Sequence, residues 1–371
     1  MSVTLRVARV SKSFGGQRIL ADVSFAVEKG VIGALVGRNA VGKTTVLKII
    51  AGIVEPDRGE VWIGEELVFS RRDEASRATI DKKPWERSVG YVPAVHGLFP
   101  HLTIRQNIEL PLRKKGWSIS EINTRVKELS EMLGLNSYLD LKPAQVSRGV
   151  YQKASIARAI APRPRVLLMD EPFSAIDIQM RPRIRQDLRK FLLRDGVTVL
   201  YATHLLDDVF SMANKIVFLQ DGKVLYEGPV SEGDISREPS FAEFMGYNVI
   251  RGIVSEASDK YLQISFGDGF SITLTKNSNS AILERGDEVV LVFSPWDVEY
   301  SPMRERESTN IIEIEVESCH HMPGYYEIRG NVGGINIKTN IRVSEEFVCI
   351  ENSRIPLKVK RYYVHRARRV G

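Results

Sequence analysis

The run Val31-Ile32-Gly33-Ala34-Leu35-Val36 leads into Gly37-Arg38-Asn39-Ala40-Val41-Gly42-Lys43-Thr44-Thr45. The first six residues are apolar or small and read as a buried strand. Residues 43–51, which follow, read as a helix. The junction between them is G-x-x-x-x-G-K-T. Its glycines let the backbone curl until successive N–H groups face an anion. The helix behind it adds the positive end of its dipole. Lys43 has the reach for β- and γ-phosphates, and the Thr44 hydroxyl suits Mg²⁺. Gly37, Arg38, Asn39, Ala40, Val41, Gly42, Lys43, Thr44 and Thr45 are therefore the candidate phosphate site. An innocent glycine turn would lack the strand before and the helix after.

A second element fits the first. Arg165-Val166-Leu167-Leu168-Met169-Asp170-Glu171-Pro172 is an apolar strand ending in two carboxylates. Taken alone, such an ending is as often structural as functional. Following a phosphate loop, Asp170 suits the coordination sphere of Mg²⁺ through water. Glu171 suits a general base that polarises an attacking water. Phosphoryl transfer asks for positioning and charge neutralisation more than covalent help.

The chain has 371 residues, 43% hydrophobic and 26% charged. That balance excludes wholesale disorder, collagen and a disulfide-stapled miniprotein. The length argues for about two or three domains. The formal charge is +6, and Lys358, Lys360, Arg361, Arg366, Arg368 and Arg369 account for all of it. The basic balance thus belongs to the C-terminal end, and phosphate binding must rest on the local field of the loop. The two cysteines, Cys319 and Cys349, point to a reducing compartment. The N-terminal MSVTLRVARVSKSF lacks the apolar core of a signal peptide. No stretch reaches the ~18–20 apolar residues of a membrane-spanning helix. The expectation is a cytosolic chain that meets a membrane through partners.

Up to about residue 245, strand-like runs such as Val166–Met169 and Val197–Ala202 alternate with helical patterns at 119–134, 151–161 and 179–195. This is the signature of an α/β layered domain. Residues 1–28 and 59–69 alternate apolar and polar, as an antiparallel sheet beside it would. Residues 98–146 read as a helical insertion, with Pro100, Pro111 and Pro143 as breaks. After 245 come short alternating segments at 248–256, 261–266, 270–275, 288–293, 311–317, 325–329, 335–338 and 356–360. Turn signals at Gly267-Asp268-Gly269 and Gly333-Gly334 separate them. Two barrel-like β units, about 247–300 and 309–368, are expected, with the charged, Ser/Pro-rich 301–309 between. One irregular sandwich is the alternative.

Between the phosphate loop and the carboxylates lies Val146-Ser147-Arg148-Gly149-Val150-Tyr151-Gln152-Lys153-Ala154-Ser155-Ile156-Ala157-Arg158-Ala159-Ile160. It resembles the signature segment of ABC-type ATPases, L-S-G-G-Q and a helix ending A-R-A-L. Ser174-Ala175-Ile176-Asp177 resembles that family's D-loop, and Tyr201-Ala202-Thr203-His204 its switch histidine. Phe14, in Ser11-Lys12-Ser13-Phe14-Gly15, stands where the family stacks an aromatic on adenine. The ordered set covers about residues 3–230. Each residue has a plain reading too: Phe14 a core aromatic, His204 a strand-end histidine, Ser147 a helix N-cap.

The resemblance implies an ABC-type P-loop NTPase domain at 1–240, with an antiparallel β subdomain and the 98–146 insertion. An all-β tandem domain at 247–371 follows, like that of importers of carbohydrates, oxyanions and iron. Leu98-Phe99-Pro100-His101-Leu102 leans toward the oxyanion or iron side. The implied activity is hydrolysis of ATP with Mg²⁺ to drive solute import. Lys43, Glu171 and His204 would be catalytic, and Thr44 and Asp170 would serve the metal. Ser147, Arg148 and Gly149 would meet the ATP of a second subunit, with Asp177 in the D-loop. The implied partners are that second ATPase subunit, two integral membrane permease subunits and an extracellular solute-binding protein, at the cytoplasmic face of the membrane.

The chain also departs from the family. Ala94, in Gly90-Tyr91-Val92-Pro93-Ala94-Val95-His96, holds the place of a glutamine that contacts Mg²⁺ and relays motion to the membrane subunits. Ala cannot ligate a metal, and His96 is a poor substitute. Arg148 and Val150 replace the first glycine and the glutamine of the signature. A slow but active ATPase is the expectation. One alternative is an ATP-binding regulator with little turnover, favoured by Ala94 and opposed by Glu171 and His204. Another is a nucleic-acid-associated ATPase, favoured by the aromatic and basic tail from Lys358 to Arg369; no nucleic acid is expected. Cys319-His320-His321 is a poor metal site, because neighbours on a strand face opposite ways.

Overall fold

The computed structural model describes residues 2–95, 97–230, 236–267, 269–276, 283–301, 309–343, 347 and 349–367. His96, Asp268, most of the 301–309 segment, and Arg368 and Arg369 lie outside them. Contacts divide the chain into two compact units, Met1–Val230 and Ser231–Gly371.

In the first unit, β1 (Val3–Phe14) and β2 (Gln17–Glu28) form a hairpin. Its turn residues Gly15 and Gly16 have φ of 55° and 82°. A two-residue turn with both φ positive matches the twist of paired strands. β3 (Ile32–Val36) and α1 (Lys43–Ile50) flank the phosphate loop. Next come β4 (Arg58–Ile63), β5 (Glu66–Arg71), β6 (Ile80–Asp81) and β7 (Val89–Val92). Then follow α2 (Ile104–Lys114), α3 (Ile119–Leu133) and α4 (Arg148–Ile160). β8 (Val166–Asp170), α5 (Arg181–Arg194), β9 (Thr198–Thr203), α6 (Leu206–Met212), β10 (Lys215–Gln220) and β11 (Lys223–Pro229) complete the unit.

Two sheets result, β2-β1-β4-β5-β6 and β11-β10-β3-β9-β8-β7. The first is antiparallel; the second is parallel from β10 to β7. Every residue of β3 and β8 is buried, as strands covered on both faces require. Leu5 and Val7 of β1, Val46 and Leu47 of α1, Leu168 of β8 and Leu200 of β9 share one apolar core. The carboxyl ends of β3, β8 and β9 thus converge on one edge, where open parallel sheets take their ligands.

Two corrections concern the helices between β7 and β8. Pro111 was expected to break the chain, yet it lies inside α2. A capping box between Thr103 and Gln106 starts that helix. The buried Asn107 amide donates to the carbonyls of Phe99, Leu102 and Thr103 at 3.1, 3.3 and 2.9 Å. These bonds hold the turn before the proline, and the helix ends shortly after it. α4 begins at Arg148 rather than 151, because the Ser147 side chain accepts the Val150 N–H at 3.3 Å and caps it.

The second unit opens with α7 (Pro239–Phe244), whose Phe241 and Ala242 are buried. β12 (Asn248–Ala257), β13 (Tyr261–Phe266), β14 (Phe270–Thr275), β15 (Glu288–Phe293) and β16 (Val298–Tyr300) follow. β17 (Ile311–Met322), β18 (Tyr325–Val332), β19 (Ile335–Arg342), β20 (Arg354–Val359) and β21 (Tyr363–Arg366) end the chain. The sheets are β14-β13-β12-β15-β21 and β16-β20-β17-β18-β19. β21, from the chain's end, completes the sheet of the early strands, and β16 joins the sheet of the later ones. The segments 247–300 and 309–368 therefore do not map singly onto sheets. One core running from Ile250 to Val364 serves both.

Two further expectations change here. The basic tail offered above as support for nucleic-acid binding has its cations paired in the fold: Lys360 with Glu299, Arg361 with Asp297 and Arg366 with Asp287. Cys319 and Cys349, whose low number pointed to a reducing compartment, form a disulfide with their Cα atoms 6.4 Å apart. A count bears on compartment and cannot show that two thiols meet; here the pairing of β17 with β20 brings their neighbourhoods together.

Candidate functional site

The phosphate loop is shaped by contacts that only glycine permits. A Cβ on Gly37 would lie 2.3 Å from the Leu219 carbonyl oxygen, and one on Gly42 would lie 2.7 Å from Leu20 Cδ2. Gly42 caps α1 at φ 107°. Lys43 is 7% exposed. Its ammonium donates to the carbonyls of Gly37 at 2.8 Å and Arg38 at 3.0 Å. Burial pulls its pKa down, while Glu171 and Asp170 pull it back up. Thr44 Oγ1 donates to Asp170 Oδ2 at 2.9 Å and lies 3.1 Å from Oδ1. Asp170 is buried, which raises its pKa; Thr44, Lys48 and Lys43 oppose that rise. A cleft of about 460 Å³ brings Phe14, Ile19, Lys43, Thr44, Asp170 and Glu171 to one surface, together with Asn39, Ala40, Gly42 and Thr45.

Glu171 adopts φ 46°, unusual for a non-glycine residue. Its N–H donates to the Ala202 carbonyl at 3.0 Å, which ties it to β9. His204 Nδ1 lies 2.9 Å from Glu171 Oε1. Glu171 Oε2 is buried with no hydrogen-bond partner. The carboxylate thus has one oxygen oriented by the histidine and one buried with its hydrogen-bonding capacity unused. Backbone strain of this kind is usually kept where it positions a reacting group.

A buried network fixes the histidine's neighbours. Thr203 Oγ1 donates to Asp208 Oδ2 at 2.9 Å and accepts the Leu205 N–H at 3.0 Å. Asp208, 1% exposed, pairs with Arg185 of α5. The Tyr201 hydroxyl donates to the Asp208 carbonyl at 2.8 Å. Sequence reading missed Arg185 and Asp208. The only trace of them was an acid in the first turn of a helix and a base in another helix.

Two more buried cations went unread. Arg87, 1% exposed, donates to the carbonyls of Ile49 at 2.8 Å and Ile50 at 3.1 Å, at the C-terminal end of α1. Arg125, 2% exposed, donates to the carbonyls of Ile160 at 3.2 Å and Ala161 at 3.3 Å, at the end of α4. Each guanidinium partners the final carbonyl, Ile50 or Ala161, adds a second bond to the one before it, and faces the negative end of the helix dipole. The helices so capped are the one bearing Lys43 and Thr44 and the one beginning at Ser147.

The other expected residues lie apart from this cluster. Phe14 is 48% exposed and lines the cleft. Ser147 and Arg148 are exposed at the start of α4, and Asp177 is exposed beyond β8. A Cβ on Gly149 would lie 3.5 Å from the Ala175 carbonyl oxygen, so signature and D-loop segments adjoin within the chain. Among the described residues the Arg148 side chain makes no hydrogen bond or ion pair, and the Ser147 hydroxyl bonds within its own helix, to the Val150 N–H, and not to the phosphate-loop cluster. Ala94 is exposed and brings no donor to the cleft.

The comparisons with known proteins agree with this geometry. The family described as ABC transporter matches residues 20–174. A ferric-ion import ATP-binding protein of Haemophilus influenzae is 35% identical over 247 residues, 66% of this chain and 67% of that one. The trehalose/maltose import ATP-binding protein of Thermococcus litoralis is 31% identical over 350 residues, 91% of each chain. An ATP-binding cassette solved as a dimer in a post-hydrolysis state with ADP and phosphate is similar at TM-score 0.53 and 29% identity, over 61% of this chain and 99% of that one. No helix among the described residues is long and apolar enough to cross a membrane. A phosphate loop, a paired carboxylate and histidine, and relatives matched over most of their length converge on one conclusion: the chain belongs to the ABC transporter family, as an ATP-hydrolysing subunit of the importer class.

Proposed function

We propose that this ATPase unit meets a second one head to tail, so that each ATP lies between one phosphate loop and the other subunit's signature segment. The second subunit is another copy or a paralogue, since the sequence carries one phosphate loop. What supports the reading is the Glu171–His204 bond at 2.9 Å, with Glu171 Oε2 unpartnered, on the cleft that Lys43, Thr44 and Asp170 also line.

The residues divide the work as follows. Backbone N–H groups of the loop and the N-terminus of α1 hold the phosphates. Lys43 moves its ammonium from the loop carbonyls to the β- and γ-phosphates. Glu171 Oε2 accepts a proton from the attacking water, and His204 holds Oε1 and contacts the γ-phosphate. Ser147 and Gly149 close the site from the other subunit, and Asp177 lines the same junction. Mg²⁺ fits the Thr44 hydroxyl and the Asp170 carboxylate, a hard oxygen pair suited to a cation that keeps most of its waters. That ion would neutralise charge developing on the phosphates.

The unit drives import through two integral membrane permease subunits, at the cytoplasmic face, with an extracellular solute-binding protein supplying the cargo. The relatives are named as importers of ferric ions, molybdate/tungstate, trehalose/maltose, sulfate/thiosulfate and spermidine/putrescine. So broad a range on one ATPase body supports solute choice by the other subunits. Domain limits of 1–240 and 247–371 belong to the same reading. Isolation of the tagged chain from its native membrane tests it. Two membrane-spanning proteins should accompany the chain. A chain recovered alone that binds RNA with a steep salt dependence would support the nucleic-acid reading instead.

A further inference from the structure

Phe14 is held by two residues that have no part in the phosphate chemistry. Lys12 Nζ lies 5.2 Å from the centroid of the Phe14 ring. The same ammonium donates to Asp57 Oδ1 at 2.9 Å. Asp57 Oδ2 accepts the Ser13 N–H at 2.6 Å, and the Asp57 N–H donates to the Ser11 carbonyl at 2.9 Å. Asp57 therefore grips the backbone on the N-terminal side of Phe14, while the Gly15-Gly16 turn fixes the other side. Burial works to raise the Asp57 pKa, but Lys12 and the Ser13 N–H overcome it and hold the carboxyl below its usual range. The side chains of Lys12 and Asp57 are 16% and 23% exposed, whereas Phe14 is 48% exposed.

We infer that Lys12 and Asp57 form a brace that presents one face of Phe14 to the nucleotide base. The inference rests on Phe14 being the base-stacking ring. An ammonium set against an aromatic face is attracted by its quadrupole, and it occupies that face. The base is left the opposite one. Ile19 of β2 lines the same cleft as Phe14, Lys43 and Thr44. A Cβ on Gly42 would lie 3.2 Å from Ile19 Cγ2, so the hairpin bearing Phe14 packs on the phosphate loop. The brace thus sets the distance between the base platform and the phosphate site. Lys12 and Asp57 are positioning residues, acting through Phe14. A phenyl ring has no polar atom with which to tell one purine from another, so the brace serves nucleoside binding and not base identity.

The test compares ATP with inorganic tripolyphosphate, which carries the phosphates and no base. Lys12→Met and Asp57→Asn should each weaken ATP binding and raise the KM for ATP about fivefold, with kcat unchanged. Tripolyphosphate affinity should not move, and GTP should weaken by the same factor as ATP. Lys12→Arg should restore ATP binding, because a guanidinium also sits on a ring and pairs with a carboxylate. On a Phe14→Ala background, Lys12→Met should have no further effect. Equal losses of ATP and tripolyphosphate would overturn the brace and leave a merely structural ion pair. So would a Lys12→Met effect that persists without the ring. If Phe14→Ala alone leaves ATP affinity unchanged, the stacking reading itself fails, and the brace with it.

Discussion

Replacing Arg87 by Met should show how much of the phosphate site depends on a residue outside it. The guanidinium makes four contacts: to the carbonyls of Ile49, Ile50 and Lys82 at 2.8, 3.1 and 2.7 Å, and to Asp81 at 3.2 Å. Methionine fills much of the volume but makes none of them. The Ile50 and Lys82 carbonyls lose their partner, at about 1–3 kcal/mol each, while the Ile49 carbonyl keeps the Gly52 N–H at 3.0 Å. Asp81 is partly exposed and recovers some solvation, so its loss is smaller. The sum is about 3–5 kcal/mol, a large share of the stability of a domain. At about 2–4 °C per kcal/mol for a unit of this size, Tm should fall by roughly 10 °C. Differential scanning fluorimetry reads it, since Trp62, Trp85 and Trp117 report on the first unit and Trp296 on the second. The transition followed by the first three should move, and ATP should restore part of the loss by binding the folded state. A shift under about 2 °C would refute the capping argument.

Three other outcomes follow from the same geometry. Arg185→Met breaks the buried pair with Asp208 and frees Thr203 beside His204; kcat should fall about 10- to 100-fold while ATP affinity holds, as steady-state kinetics would show. Ala94→Gln restores the residue that the family resemblance implies at this position, so if it reaches the metal the Mg²⁺ concentration for half-maximal ATPase should fall; an unchanged rate and Mg²⁺ optimum would show that the position is idle. The depressed Asp57 pKa makes the Lys12–Asp57 pair stabilising above the carboxyl's unfolded pKa and lost as pH falls through its folded value. Wild type and Asp57→Asn should therefore differ in denaturant midpoint at pH 6, and the difference should shrink as the pH falls through the carboxyl's depressed folded-state pKa.

The parts that were legible in the sequence are those where chemistry forces contiguous residues. The Gly37–Thr45 loop needs its glycines and lysine in fixed order, and the strand ending in Asp170-Glu171 announces itself by apolar burial. The structure places Lys43, Thr44, Asp170, Glu171 and Phe14 on one cleft, with His204 bonded to Glu171. Long-range polar partners were not legible. Arg87 and Arg125 meet helix ends 37 and 35 residues away along the chain, and no local pattern marks a cation that will be buried. Pro111 misled because it sits in the last turn of α2, which ends at Lys114, so only the one bond to the Asn107 carbonyl is lost and the helix before it is intact. In the β unit, alternation located most strands but not their partners. β21 pairs with β15, some 70 residues earlier, and short strands such as Val298–Tyr300 carry too few residues to show a period.

The central claim is that Glu171 is the base for ATP hydrolysis in a head-to-tail pair. Analytical ultracentrifugation of Glu171→Gln with ATP and Mg²⁺ tests it most directly. Glutamine keeps the shape but cannot accept the water's proton. The variant should hold ATP uncleaved and sediment as a dimer, dissociate when ATP is replaced by ADP, and show no turnover. The wild-type chain should return to monomer as its ATP is consumed. A Glu171→Gln chain that hydrolyses ATP at the wild-type rate, or stays monomeric with ATP bound, would contradict the account.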